Sequence, residues 1–195
     1  RFAELGLPEE APKTWTELRN VSRTATRFRE DGTAETAGYL DYGAWTFWSP
    51  FVYANDGEIF LDDGRTPNFT SPQVIETIEF LYDLIEMQGG HTTVSQMGNR
   101  VRAFLAGMRP IIAGNQALFK ELTDQNFDLN DLGIGVIPGN DRRPGATGKG
   151  ITVTGWYLAI PVGLPAAVED AAFRWVEYMT ARADGGAQFA MTMGR

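Results

Sequence analysis

Cysteine is absent from this chain of 195 residues, and histidine occurs only once, as His91. A chain without cysteine has no disulfide, no thiolate metal site and no thiol nucleophile. With a single histidine, the common nucleophile–base triads are nearly excluded as well. The formal net charge is -8, so the chain lacks the basic surface that DNA, RNA or an anionic membrane would require. No apolar run in the sequence approaches the roughly 20 residues that a transmembrane helix needs.

The residues that are abundant indicate a globular core rich in aromatic side chains. Hydrophobic residues make up 43% of the chain and charged residues 22%, which is ordinary for a folded domain. The aromatic residues comprise 5 Trp, 6 Tyr and 12 Phe. The chain opens on Arg1 without an initiator methionine or a signal peptide, and we expect it to be a piece of a longer protein.

Helical and strand patterns alternate along the chain, which predicts an α/β fold. The sequence TWTE at residues 14–17 matches a capping box and predicts a helix over residues 15–29. Ser71 and Pro72, an N-cap residue and an N1 proline, open a helix over residues 72–87. The helix predicted over residues 166–181 has an inward face of Val168, Ala172, Trp175, Val176 and Met179. The other predictions are helices over residues 45–54, 94–106, 116–122 and 185–193 and strands over residues 38–42, 111–113, 133–137 and 152–160.

Several signatures of chemistry fail on their spacing. Residues 145–150 (GATGKG) resemble the end of a phosphate-binding loop, but Arg143 occupies the position of its first glycine. A dinucleotide-binding pattern that starts at Gly133 has Pro138 at its third glycine position. Residues 62–65 (DDGR) are typical of a solvated turn rather than a metal site. No metal or cofactor site is predicted, and a carboxylate pair for glycoside hydrolysis stays open among the 25 acidic residues.

Three segments carry the residue types that bind sugars. Flat indole rings match the C–H face of a sugar, and amides or exposed backbone N–H groups match its hydroxyls. A glycine beside a tryptophan also lets a ligand approach the backbone closely. For each tryptophan the alternative is a place in the core. The candidate binding residues are Trp45 and Trp48, Asn115 and Gln116, and Gly155 and Trp156.

The order of short motifs along the chain resembles the family-1 extracellular solute-binding proteins of ABC importers. The resemblance begins with the sequence PKTWTEL and continues through FTSPQV, FLYDL, FLAGMRP, GVIPG, TGWYLAIP and AAFRWV. These seven matches lie in the family's order and cover nearly the whole chain. The chain departs from the family pattern at Thr154, where a glycine is usual, and at Asn115-Gln116, where many members carry an aromatic residue.

The resemblance implies one lobe of a two-lobe periplasmic-binding-protein-like (type II) fold, a mixed sheet flanked by helices. Residues 1–195 would form the C-terminal lobe, with the N-terminal lobe and the C-terminal end outside the chain. It implies a protein that is not an enzyme, that binds a carbohydrate in the cleft between the lobes, and that delivers it to the permease subunits of an ABC importer. The alternatives are a binding protein for another solute, such as a glycerophosphodiester, a polyamine or a peptide, and a glycoside-active enzyme. An anionic solute would need a basic group such as Arg142, Arg143 or Lys149. The implied location is extracellular or periplasmic, with a lipid anchor possible on the parent protein.

Overall fold

The computed structural model describes residues 1–144, 158–182, 184–186 and 188. The chain divides into two compact units, Arg1–Ala113 with Asn130–Val153 and Gly114–Leu129 with Thr154–Arg195. The described helices are α1 (Trp15–Ala25), α2 (Trp45–Ala54), α3 (Pro72–Glu86), α4 (Gly90–Met97), α5 (Arg100–Leu105), α6 (Gln116–Asp124) and α7 (Ala166–Thr180), with short 3-10 turns at Ala3–Leu5 and Leu129–Asp131. Among the described residues no helix combines the length and apolarity that crossing a membrane requires.

Thr14 caps α1 as predicted, and Glu17 accepts from the amide before the N-cap rather than from the N-cap amide of a capping box. The Thr14 side chain accepts a hydrogen bond from the Glu17 amide at 3.1 Å, and the Glu17 carboxylate accepts one from the Lys13 amide at 2.6 Å. The first bond satisfies an amide group that the helix itself leaves free, and the second holds the residue that precedes the N-cap. The helix ends at Ala25, earlier than predicted, because Arg27–Phe28 forms a strand (β1) that pairs antiparallel with Ala34–Thr36 (β2).

The core of the first unit lies where α1, α2 and α3 meet. The Trp15 and Phe80 rings stack with centroids 4.3 Å apart. A second cluster lies around Leu40 and Ile85, and a third around Val52. The buried members of the main cluster are Trp15, Leu18, Tyr39, Phe51, Phe80, Leu81 and Leu84, and Trp48, Ile111, Ala113 and Ile137 pack against its edge.

The strands predicted over residues 38–42, 111–113 and 133–137 are not formed; the described sheet is β1–β2. Side chains instead bind the backbone of the first segment, since Gly38 N–H donates to Gln88 at 2.6 Å and Tyr39 N–H to Ser22 at 3.2 Å. A side chain at Gly38 would collide with Ser22, whose Cα lies 2.4 Å from the position of an added Cβ. A β-prone segment becomes a strand only when another strand pairs with it. Of the strand predicted over residues 152–160, only 158–160 are described, and they are not in a strand.

The helix predicted over residues 94–106 is two helices. Gly98, with φ 60° and ψ -128°, breaks the helix, and the Asn99 side chain caps the next one by accepting from the amides of Val101 and Arg102. Glycine adopts this backbone conformation without the steric cost that other residues meet. The predictions over residues 45–54, 72–87 and 116–122 are confirmed as α2, α3 and α6, within two residues at each end.

The second unit contains α6 and α7. Helix α7 matches the helix predicted over residues 166–181. Its predicted inward face is not buried, however, because Val168 is 50% exposed and Trp175 is 55% exposed. An amphipathic pattern predicts an apolar face, but burial needs another element to cover it, and the described residues do not. Of the helix predicted over residues 185–193, residues 187 and 189–193 lie outside the described residues.

Candidate functional site

Helix α2 presents the first two candidate residues on one face, since Trp45 and Trp48 are three positions apart. Trp45 is the first residue of the helix and is 55% exposed, so its indole is available for stacking. Trp48 is half-buried, packs against the main and third clusters, and meets the Phe69 ring edge-on with centroids 6.3 Å apart. The two indoles therefore differ: the Trp45 ring is exposed to solvent, and the Trp48 ring packs against the core.

Arg100, which no sequence motif marks as a candidate, contacts the same turn of α2. Its guanidinium carbon lies 5.3 Å from the centre of the Phe47 ring, and its Nη1 atom donates to the Ala113 carbonyl. The contact with Phe47 is a cation–π interaction. The sequence near Arg100 contains no pattern that predicts these contacts, because Phe47 and Ala113 belong to other segments of the chain.

A buried ion pair holds the segment that ends at Ala113. Asp41 and Arg109 have side chains that are each 4% exposed, and their closest atoms are 2.8 Å apart. The other Asp41 oxygen accepts the Ala113 N–H at 2.6 Å. Asp41 thus links the approach to α2 with the segment before α6. Nearby, burial raises the pKa of the Tyr39 phenol well above its usual range, so Tyr39 stays neutral.

Asn115 and Gln116 lie at the start of α6, in the second unit. Asn115 is the N-cap residue: its side-chain oxygen accepts the Ala117 N–H at 3.0 Å. Capping uses the amide oxygen and leaves the amide N–H groups as the donors that a hydroxyl could meet. Gln116 is the first residue of the helix. Gly155 and Trp156 lie outside the described residues, so the predicted assembly of the six residues on one concave face stays a prediction.

A polar groove of about 460 Å³ lies between α1 and α3 and contains the basic loop considered for an anionic solute. Arg143 donates to Glu76 at 2.6 and 3.2 Å, and this pairing lowers the pKa of the Glu76 carboxyl. Asn55 and Asn140 complete the cluster around the same carboxylate. The charge of Arg143 is thus compensated within the protein. Lys149 lies outside the described residues.

Two other chemically active side chains, Asp63 and His91, have structural partners. Asp63 accepts from the amides of Arg65 and Thr66 at 2.8 Å, which confirms the turn predicted at residues 62–65. A nitrogen of His91 lies 2.8 Å from the Tyr42 hydroxyl. Among the described residues, no group of three or more His, Asp or Glu side chains could hold a metal ion.

The model of the family described as bacterial extracellular solute-binding protein matches residues 1–185. The chain belongs to this family. No curated protein gives a significant sequence match. The family match covers the whole of the first unit, with α2 and Arg100, and most of the second. The resemblance drawn from the order of the motifs is therefore confirmed.

Solved structures of solute-binding proteins share the fold. An ABC transporter solute-binding protein from Thermotoga lettingae, bound with alpha-D-tagatose, is 22% identical with a TM-score of 0.69. The match covers 100% of this chain and 48% of that protein. One from Agrobacterium radiobacter, in complex with ribitol, is 18% identical with a TM-score of 0.68, and the coverages are 99% and 47%. A maltose/maltodextrin-binding domain from Bdellovibrio bacteriovorus, bound to maltotriose, is 21% identical with a TM-score of 0.66, and the coverages are 94% and 47%.

These likenesses confirm the predicted fold class, the α/β type II periplasmic-binding-protein fold. The chain spans about half the length of the solved structures that it matches. At this level of identity the likeness concerns the fold and leaves the ligand of this solute-binding protein to be argued from its own residues.

Proposed function

We propose that residues 1–195 are the C-terminal lobe of the substrate-binding component of an ABC importer, and that the ligand is a sugar or a related polyhydroxylated molecule. The observation that carries the proposal is the family match over residues 1–185. The ligands seen in the three solved structures, a ketohexose, a pentitol and a trisaccharide, support this ligand class.

The exposed indole of Trp45 supports the same ligand class. Its ring lies in the first turn of α2 and offers a flat apolar surface to the C–H face of a sugar ring. In two-lobe binding proteins the ligand lies in the cleft, and the lobes close over it by a hinge motion. The closed form would then engage the permease outside the cytoplasm. The protein binds and releases its ligand without a cofactor and without chemical change.

Calorimetric titration of the full-length protein that contains residues 1–195 tests the proposal. The titrants are D-tagatose, ribitol and maltotriose, followed by a wider set of mono- and oligosaccharides. We expect at least one of them to bind with a dissociation constant in the micromolar range or below and to raise the melting temperature, because a ligand that binds only the folded state stabilises it.

Glycerol-3-phosphocholine, spermidine and a tripeptide serve as controls for the other solute classes. Binding of one of these three, with no binding of any carbohydrate, would replace the sugar assignment and leave the importer role intact. Absence of binding in all classes would contradict the proposed function.

A further inference from the structure

Arg100 is held in a defined position by its own helix. It is the first residue of α5, and the preceding Asn99 accepts hydrogen bonds from the amides of Val101 and Arg102 at 3.0 Å each. This cap fixes where the helix begins and therefore the direction in which the Arg100 side chain leaves it. The side chain is half-buried, whereas Arg102, two residues later, is exposed.

The two contacts of the Arg100 guanidinium lie in segments that contain or precede candidate binding residues. The Phe47 ring, 5.3 Å away, lies in the turn of α2 that carries Trp45. The Ala113 carbonyl, which accepts from Nη1, ends the segment that leads toward Asn115. Arg100 therefore joins the aromatic candidate segment to the backbone just before the amide-rich one.

The charge of Arg100 is not compensated by a carboxylate in the part of the chain that the structure describes. The acidic side chain that also binds Ala113 is Asp41, and its oxygens are taken by Arg109 and by the Ala113 N–H. A guanidinium carries five N–H groups in one plane. Only Nη1 of Arg100 has a hydrogen-bond acceptor among the described residues, so a planar set of donors remains next to the Phe47 ring.

We propose that Arg100 binds the ligand directly, and that its remaining N–H groups donate to two neighbouring hydroxyl oxygens of a sugar or polyol. The planar fork of a guanidinium suits a pair of acceptors on adjacent carbon atoms. The inference rests on the proposed function and deepens it, because it requires a ligand with vicinal hydroxyls. The stack on Phe47 and the bond to Ala113 hold the guanidinium in place before the ligand arrives, which lowers the entropic cost of binding.

The test uses Arg100→Met in the full-length protein, with Arg102→Met as the matched control on the same helix. Methionine keeps much of the length and the apolar stem of the side chain but has no N–H group. Wild type and variants are titrated with D-tagatose, ribitol and maltotriose. For the probe that binds the wild type, Arg100→Met should raise the dissociation constant by about tenfold or more, the scale of losing hydrogen bonds from a charged donor. Arg102→Met should leave that dissociation constant unchanged.

Deoxy analogues of the same probe separate direct binding from positioning. If Arg100 donates to a hydroxyl pair, the wild type binds the analogue that lacks one of those hydroxyls less well, and Arg100→Met loses this discrimination. Equal weakening of the parent sugar and all its deoxy analogues would overturn direct binding in favour of a positioning role through Ala113. An unchanged affinity beside a lowered melting temperature would show a purely structural role while the proposed function stands. If the wild type binds none of these three probes and no member of the wider carbohydrate set, both this inference and the sugar assignment fail.

Discussion

Trp45 and Trp48 share one face of α2 and have the same aromatic chemistry, yet different surroundings hold their rings. The Trp45 ring is 55% exposed, so little of its surface contributes to the stability of the fold. The Trp48 ring packs against two apolar clusters and against Phe69. The residue type predicts an indole that could stack on a sugar, and only the surroundings show which indole is free to do so.

Replacing the two tryptophans separately should therefore give opposite results. We expect Trp45→Ala in the full-length protein to weaken ligand binding by roughly 1–3 kcal/mol, the scale of one aromatic contact, with little change in the free energy of unfolding. We expect Trp48→Ala to lower that free energy by about 2–4 kcal/mol, because it opens a cavity beside two clusters. Titration calorimetry and urea denaturation on both variants measure the two quantities. A stable Trp45→Ala protein with wild-type affinity would remove Trp45 from the site.

The ion pair between Asp41 and Arg109 should be among the most sensitive polar contacts of the first unit. Its two side chains are each 4% exposed, and removal of one partner leaves the other charge buried without compensation. We expect Arg109→Met to lower the free energy of unfolding by about 3–5 kcal/mol. Urea denaturation measures the free energy of unfolding. The control Lys13→Met, which breaks the exposed contact with Glu10, should leave that free energy almost unchanged. If Arg109→Met lowered the free energy of unfolding only slightly, water or another group would have to reach Asp41.

At the scale of elements, the sequence predicts helices better than strands because the helix signals are local. The N-cap Thr14 lies within one turn of Glu17 and accepts a hydrogen bond from its amide as predicted. The apolar segment over residues 111–113 would need a paired strand. Instead its last residue binds Asp41 and Arg100, far away in sequence. The same limit applies to the candidate site, where Arg100 has no sequence signal at all.

The link between α3 and the loop that follows Gly139 should make stability depend on pH. Hydrogen bonds from Arg143 lower the pKa of Glu76 below its ordinary value of 4.5. A carboxyl whose pKa is depressed by folding stabilises the folded state above its unfolded pKa, and this stabilisation is lost as the pH falls through the folded pKa. We expect the melting temperature of Glu76→Gln to lie below that of the wild type at pH 6 and to approach it below pH 4. Glu79→Gln, three residues later in α3, is the control and should keep the melting temperature of the wild type. If Glu76→Gln also melted at the wild-type temperature at pH 6, the link would be refuted.

At the scale of the whole molecule, the chain comprises two compact units. The first unit holds α2 and Arg100, and the second holds α6. That the whole chain forms one lobe of a two-lobe binding protein remains a proposal, supported by solved structures of about twice the length. A ligand enclosed between two lobes receives contacts from both, so affinity measurements belong to the full-length protein.

A binding protein should leave its ligand chemically unchanged, and this is the prediction that separates it from a glycoside hydrolase. Hydrolysis would need two carboxyl groups on opposite sides of the scissile bond, roughly 5–9.5 Å apart. Asp41 is bound to Arg109, Glu76 to Arg143, and Asp63 to the backbone of its own turn. We expect the full-length protein, incubated with maltotriose for a day at neutral pH, to yield no maltose or glucose on chromatography. Release of glucose in proportion to protein concentration would contradict the assignment as a binding protein. If the release persisted in Asp41→Asn and Glu76→Gln variants, the catalytic pair would lie elsewhere in the chain.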